Sequence, residues 1–417
     1  MNRIQEALDW LYQQKKAKKR ENLDRIKTCI QLLHLHTPYQ IIHIAGTNGK
    51  GSTASYLNQM LMLAGKKVGL FVSPYVICFN ERIQINGTYI QDEEILEYLL
   101  VVKDLQSQYQ KVYQDTIPFF ELTLLMALLH FEKNPIDILI LECGIGGLLD
   151  ATNGLDKDVA LITNIGLDHM ATLGSTVEEI AFQKLGITRP GIPCFTTVDP
   201  KLKSYFISYA QEHQVPMKLI YEDVSDIQML PNGTGFTYKN ERYKAHLEGY
   251  YQAYNASLAI EAILYLLPSY PKQSIDQALA LTLWPARFEY VRSNVILDGA
   301  HNLPGIEALV KSLQMKYKEK RIKFVFTALR DKAIHEMLLS LDRVSSFYYF
   351  TTILDARASE LKDFYTTKPF VFYEDYALAI KTAVQELHSN EILVITGSLH
   401  FMSEARRLLL GEESNEL

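Results

Sequence analysis

The run Gly46-Thr47-Asn48-Gly49-Lys50-Gly51-Ser52 carries residue types that can bind a phosphate chain. Glycines let backbone N–H groups wrap phosphates at the positive end of a following helix. Lys50 adds a point charge, and Ser52 offers a hydroxyl to phosphate or Mg²⁺. The ligand these groups imply is a nucleoside triphosphate. The strict pattern G-x-x-x-x-G-K-[ST] is not met, because Ile44 stands at its first glycine and Gly51 follows the lysine. By pattern alone the run also fits an ordinary glycine-bearing turn.

Further chemistry-bearing residues follow strand-like runs. Ser73 opens Ser73-Pro74-Tyr75, Glu142 precedes Cys143-Gly144-Ile145-Gly146-Gly147, and Asn164 and then Asp168-His169 follow a third run. Lys184 lies on the helical stretch after them. A carboxylate at a buried strand end beside a phosphate loop is the usual way to hold Mg²⁺ through oxygen or water. Individually, Glu142 fits a structural sheet-edge carboxylate, His169 a satisfied structural histidine and Ser73 a turn residue. Their chemistry emerges only as a set.

The elements that must position them are legible. A mostly apolar strand at 41–45 enters the glycine run, and a helix with Tyr56, Leu57, Met60, Leu61 and Leu63 as apolar positions leaves it, stopped by Gly65. Strand-like runs at 41–45, 67–72, 136–142, 159–165 and 193–197 alternate with helical patterns at 92–113, 121–132, 176–185 and 201–212. The alternation predicts an α/β fold: a P-loop-type, mostly parallel sheet covered on both faces, with ligands at the carboxyl ends of the strands. Around 227–247 short alternating runs suggest an antiparallel edge or flap.

Residues 251–267 are helical again. After Trp284-Pro-Ala-Arg-Phe-Glu289 a second α/β series begins: strands at 294–297, 322–326, 346–350 and 391–396, helices at 304–317, 334–341 and 377–387. This predicts an ATP-binding domain over 1–290 and a smaller, Rossmann-like α/β domain over 291–417.

Composition narrows the class. A chain of 417 residues exceeds one core, and 48% hydrophobic with 22% charged residues is ordinary for a globular protein. A net charge of −6 argues against a nucleic-acid binder, and the basic run at 15–20, followed by Glu21 and Asp24, reads as a solvated helix face. Cys29, Cys78, Cys143 and Cys194 lack metal spacing, which fits a reducing compartment. Residues 1–10 read as an amphipathic helix rather than a signal peptide, and no apolar run approaches about 18 residues. The expectation is a cytoplasmic monomer with no membrane or nucleic-acid partner and an acidic, frayed end at 411–417.

Taken in order, the motifs resemble a known family. His43-Ile-Ala-Gly-Thr-Asn-Gly-Lys-Gly-Ser52, Ser73-Pro with Asn80-Glu-Arg-Ile83, Leu141-Glu-Cys-Gly-Ile-Gly-Gly147 with Asp150-Ala-Thr-Asn153, and Thr163-Asn-Ile-Gly-Leu-Asp-His169 are similar to folylpolyglutamate synthase and dihydrofolate synthase, of the Mur-ligase type. Gln183-Lys-Leu-Gly-Ile187, Trp284-Pro-Ala-Arg-Phe-Glu289, Asp298-Gly-Ala-His-Asn302, Asp331-Lys332 and Thr396-Gly-Ser398 extend the resemblance over nearly the whole chain.

The resemblance implies roles. Gly46, Thr47, Asn48, Gly49, Lys50, Gly51 and Ser52 would cradle ATP, with Gln252 and Asn255 near the adenine and Arg287 and Asp298 reaching the nucleotide. Ser73, Glu142, His169 and Lys184 would hold Mg²⁺, Lys184 as a carbamate formed with CO₂, which requires a neutral, partly desolvated amine. Lys50, Lys184 and His301 would be catalytic. Tyr75, Arg82, Asp150, His301 and Ser398 would meet the folate or dihydropteroate and the L-glutamate.

The implied reaction activates a substrate carboxylate as an acyl phosphate, which the amine of glutamate then captures. Departures from the family pattern at Tyr75 and Leu148 fall where the pterin is expected, whereas those at Gln183, Leu185 and Leu303 remove no metal or phosphate group. The expectation is folylpolyglutamate synthase, with dihydrofolate synthase, alone or combined, as the alternative. A catalytically inactive nucleotide-binding protein is the remote one. A cell-wall ligase is disfavoured, because only about 40 residues precede the first strand, too few for a separate UDP-binding domain.

Overall fold

The computed structural model describes residues 3–14 and 21–411; the basic run at 15–20 and the acidic end at 412–417 lie outside the described residues. Eight strands form the first sheet: β1 (Gln40–Ala45), β2 (Val68–Phe71), β3 (Ile83–Ile85), β4 (Thr88–Tyr89), β5 (Ile138–Glu142), β6 (Val159–Ile162), β7 (Cys194–Thr196) and β8 (Met217–Leu219). Their order is β4-β3-β2-β5-β1-β6-β7-β8, parallel except at the β3 and β4 edge. This puts β1 at the centre, between β5 and β6, where crossover connections leave a crevice at the carboxyl ends.

Helices α1 (Arg3–Tyr12), α2 (Asp24–Leu32), α3 (Lys50–Leu63), α4 (Asp92–Tyr113), α5 (Phe119–Lys133), α6 (Met170–Leu173), α7 (Val177–Leu185), α8 (Lys203–Glu212), α9 (Gln252–Leu266) and α10 (Lys272–Leu281) cover this sheet. Because strand side chains alternate, Ile42, Ile44, Ile138 and Ile140 pack under α3, α9 and α10. Ile41, Leu139 and Leu141 pack on the other face, with Leu124 and Leu128 of α5 and Val102 of α4. Burial on both faces is why these strands are nearly continuous apolar runs.

The flap is a three-stranded antiparallel sheet of β9 (Val224–Leu230), β10 (Gly233–Tyr238) and β11 (Glu241–Ala245). The second large sheet comprises β12 (Glu289–Arg292), β13 (Val295–Leu297), β14 (Arg321–Phe326), β15 (Ser345–Thr351), β16 (Phe370–Tyr373) and β17 (Glu391–Thr396), ordered β12-β13-β17-β14-β15-β16. Helices α11 (Leu303–Lys316) and α12 (Ile334–Leu341) pack on one face, α13 (Tyr376–Gln385) and α14 (Leu399–Leu410) on the other. The α/β architecture is as expected.

Five strands (β3, β4, β8, β12 and β16) and four helices (α2, α6, α10 and α14) go beyond the expected set. The β3–β4 hairpin turns on Asn86 and Gly87, both at positive φ (51° and 73°), a sequence that favours a two-residue hairpin turn. Strands β8 and β16 are short outer strands with half-exposed side chains, so they lack a buried strand's apolar run. Helices α2 and α10 present only a few buried residues each.

Candidate active site

Strand β1 delivers the glycine run to the centre of the crevice. Gly46 and Gly49 adopt φ of 151° and 85°. A Cβ at Gly49 would lie 2.3 Å from Asn255 Oδ1, and one at Gly51 2.7 Å from the Trp284 ring, so close approach requires glycine. The loop is tied to β6: Thr47 N–H donates to the Asn164 carbonyl (2.8 Å), Asn48 N–H to Asn164 Oδ1 (2.8 Å), and Thr163 Oγ1 to the Asn48 carbonyl (2.6 Å). No side chain caps the start of α3, which leaves its first N–H groups for an anion.

Charged groups gather at this loop. Lys50 Nζ donates to the Gly46 carbonyl (3.2 Å) and stands 3.8 Å from Glu142 Oε1. Glu142 is aligned with Ile44 in the register and accepts from Ser73 N–H at 3.0 Å. Burial raises the Glu142 carboxyl above its ordinary range, against the pull of Lys50. Lys184 Nζ, only 3% exposed, donates to the Gly46 carbonyl at 2.9 Å. Burial, reinforced by Lys50, pushes its ammonium down to about 7.

Asp168 is the hub of the opposite wall. Burial alone would raise its carboxyl, but His301, His169 and Lys332 hold it well below the usual carboxylate range. Lys332 Nζ lies 2.5 Å from Oδ1, and Asn302 Nδ2 donates to Oδ2 at 2.8 Å. Both histidines place Nε2 3.8 Å from Oδ2. His301 Nδ1–H donates to the Gly299 carbonyl (2.8 Å), which leaves Nε2 as the acceptor; burial pushes this imidazole down to about 4. Asn302 also caps α11 and pairs with Asn48 of the glycine loop.

Near the linker, Asp298 accepts from Tyr251 Oη and from Phe288 N–H, both at 2.9 Å, and burial raises its carboxyl against the opposing effect of Arg287. Asn255 Nδ2 donates to Gln252 Oε1 (3.0 Å), and Gln252 lies 3.4 Å from Ser52 Oγ.

These groups surround one cavity of about 1040 Å³ between the two large sheets. It takes in the whole glycine loop with Ser73, Arg82, Glu142, His169, Lys184, Asn255, Arg287, Asp298, His301 and Ser398. Three expected residues do not line it. Gln252 is fully buried behind Asn255. Tyr75 turns its hydroxyl to Tyr12 (2.9 Å) and its ring to Arg82. Asp150 accepts from the N–H groups of Gly144, Ile145 and Thr152, all at 3.0 Å; it shapes the turn whose Gly144 and Ile145 line the cavity.

The sequence reading missed the rings of Phe119, Phe120, Tyr221, Tyr250 and Tyr254, which also line the cavity. Phe119 and Phe120 open α5, and Tyr250 and Tyr254 flank the start of α9; Tyr221 has no such local signal. Among the described residues no three His, Cys, Asp or Glu side chains converge as a metal cage. A single buried carboxylate beside a phosphate loop fits Mg²⁺, which keeps phosphate oxygens and waters as most of its ligands.

Residues 44–263 match the Mur ligase middle domain, and residues 286–399 match the Mur ligase glutamate ligase domain. The chain is 36% identical to dihydrofolate synthase/folylpolyglutamate synthase of Bacillus subtilis, over 97% of this chain and 99% of that protein. Among solved structures, E. coli FolC in complex with DHPP and ADP is similar with a TM-score of 0.87 at 26% identity, covering 99% of this chain and 98% of that one. The bifunctional folylpolyglutamate synthase/dihydrofolate synthase of Yersinia pestis, complexed with AMPPNP and Mn ion, has a TM-score of 0.86 at 26% identity, covering 98% of each chain.

Proposed function

The chain belongs to the Mur ligase family of ATP-dependent ligases, and from that premise we propose that it adds L-glutamate to a glutamyl folate through an acyl phosphate. One observation carries this reading: Lys50, Glu142 and Lys184 gather on the glycine loop while Asn302 and Lys332 close over it through Asp168.

A carboxylate oxygen of the acceptor attacks the γ-phosphorus of ATP, and ADP leaves. The glutamate nitrogen then attacks the acyl carbon, phosphate departs and a proton is released. Phosphoryl transfer needs positioning and charge neutralisation, which the loop N–H groups, the α3 terminus and Lys50 supply. Mg²⁺, when bound, neutralises charge on the transferring phosphate; Ser73, Glu142, His169 and Lys184 would hold it. The Lys184 amine, neutral in part near pH 7, adds to CO₂ and loses a proton, becoming a carbamate anion. His301 Nε2, uncharged at neutral pH, accepts a hydrogen bond from the incoming amine. Arg287 and Asp298 hold the nucleoside, and Ser398 meets glutamate. Closure of the two lobes keeps water from the acyl phosphate.

The division into lobes falls near residue 290. Among the described residues no helix is long and apolar enough to cross a membrane.

The test is ADP release and glutamate incorporation with ATP, Mg²⁺ and either a reduced folate or dihydropteroate. Turnover that needs both glutamate and the folate supports the proposal; nucleotide binding without turnover on any acceptor refutes it. A second reading, dihydrofolate synthase activity in the same site, is favoured by the double name of the Bacillus subtilis relative. Success with dihydropteroate alone would replace the first reading by the second.

A further inference from the structure

Among the basic groups of the cavity that the ligation leaves without a task are Arg357 and His400. Arg82, which ends the turn Phe79–Arg82 on the first lobe, lines the same cavity. Arg82 is 8% exposed, and among the described residues its Nε has no hydrogen-bond partner. The rings of Tyr75, Phe119 and Phe79 surround its guanidinium at 5.1, 5.3 and 5.8 Å. Rings return only part of the hydration that a buried cation loses, so a carboxylate entering the cavity would be strongly attracted there.

The two walls are joined. Val76, on the same loop as Arg82, packs with Ala286 just before the lobe boundary and with Phe401 and Met402 of the second lobe. His400 precedes that pair on α14; burial lowers its imidazole below the ordinary histidine value, with Asp355, Arg357 and Arg82 as the charges around it. Arg357 uses Nε and Nη2 to hold Asp355 at 3.3 and 3.1 Å; Nη1 is outside that fork, and the side chain is 55% exposed.

The acceptor's chemistry gives this cluster a use. One carboxylate is consumed in each ligation, but every glutamyl residue already attached carries another that does not react. Dihydropteroate has none to spare. We propose that Arg357 and His400, with Arg82, form a subsite for the non-reacting carboxylates of an oligo-γ-glutamyl acceptor. The subsite rests on the folylpolyglutamate reading above and makes longer chains better acceptors.

The test compares kcat/KM for pteroyl monoglutamate and tetraglutamate in wild type, Arg357→Ala, Arg357→Lys and Arg357→Ala/His400→Ala. An exposed charged pair predicts a ~2- to 5-fold fall in the tetra- to monoglutamate ratio for Arg357→Ala, partial recovery in Arg357→Lys and a deeper fall in the double variant. The ratio is internal to each preparation, so an unfolded fraction cancels. An unchanged ratio in a variant, with a wild type that extends chains, overturns the subsite alone. A wild type that ligates only dihydropteroate overturns the folylpolyglutamate reading and the subsite together.

Discussion

Asn302 and Asn48 exchange a pair of amide hydrogen bonds, 2.9 Å from Asn48 Nδ2 to Asn302 Oδ1 and 3.1 Å in return. One residue caps the first helix of the second lobe; the other sits in the phosphate loop of the first. The loop and the second lobe are therefore tied through this pair of side chains, so a change in how the two meet also disturbs the loop.

Asn302→Ala removes this pair, the bond to Asp168 and the α11 cap together. Losing the cap costs about 1 kcal/mol. In a chain this long that lowers Tm by only a few degrees, by about 2–4 °C. Catalysis should fall much further, with kcat/KM for both ATP and glutamate down at least ~10-fold. A variant with the lower Tm but wild-type kinetics would reduce the pair to a structural cap.

Lys50→Ala should abolish ATP turnover, by ~100-fold or more, while the circular dichroism spectrum and Tm stay near wild type. The side chain is held mainly by carbonyls of its own loop, so little packing is lost. Normal turnover by a folded Lys50→Ala protein would remove the lysine from phosphate binding.

Local elements were legible where one physical signal dominates. The helix expected at 92–113 is found at Asp92–Tyr113, opened by three acidic residues. The strand expected at 391–396 is fully buried along Glu391–Thr396. The glycine run was readable because glycine is the residue that permits such close approach. The pairs that join the lobes were not readable: Asn48 and Asn302 are 254 positions apart, Asp168 and Lys332 are 164. No periodicity links residues that meet only through tertiary packing. Asp150, which the resemblance assigns to substrate contact, accepts hydrogen bonds from the N–H groups of the neighbouring turn.

Asp150→Asn tests that reassignment. An amide offers one acceptor oxygen: turned toward Gly144 and Ile145 it loses the bond from Thr152 N–H, and turned toward Thr152 it loses both of the others, so at least one buried backbone bond is lost. An unsatisfied buried group costs about 1–3 kcal/mol. KM for the pterin acceptor should rise ~10-fold or more while KM for ATP changes little, as measured by varying each substrate at saturation of the others. Equal rises in both would point to general loosening of the crevice instead.

The Lys184 amine gives a pH and CO₂ signature. Its ammonium sits near 7 rather than at the ordinary lysine value, because charging it means placing a cation in a dry site beside Lys50. Below about pH 7 the protonated form dominates and cannot add to CO₂; above it the free amine dominates and can. Enzyme equilibrated without CO₂ at pH 6 should therefore regain activity slowly when bicarbonate is added, and the recovery should speed up as the pH rises toward 8. Lys184→Ala should lose at least ~100-fold in kcat and recover part of it with small carboxylates that restore the anion. Lys184→Arg, which keeps a cation there, should show no such rescue. Activity that ignores CO₂ at every pH, with a Lys184→Arg variant as fast as wild type, would leave the residue only its hydrogen bond to the Gly46 carbonyl.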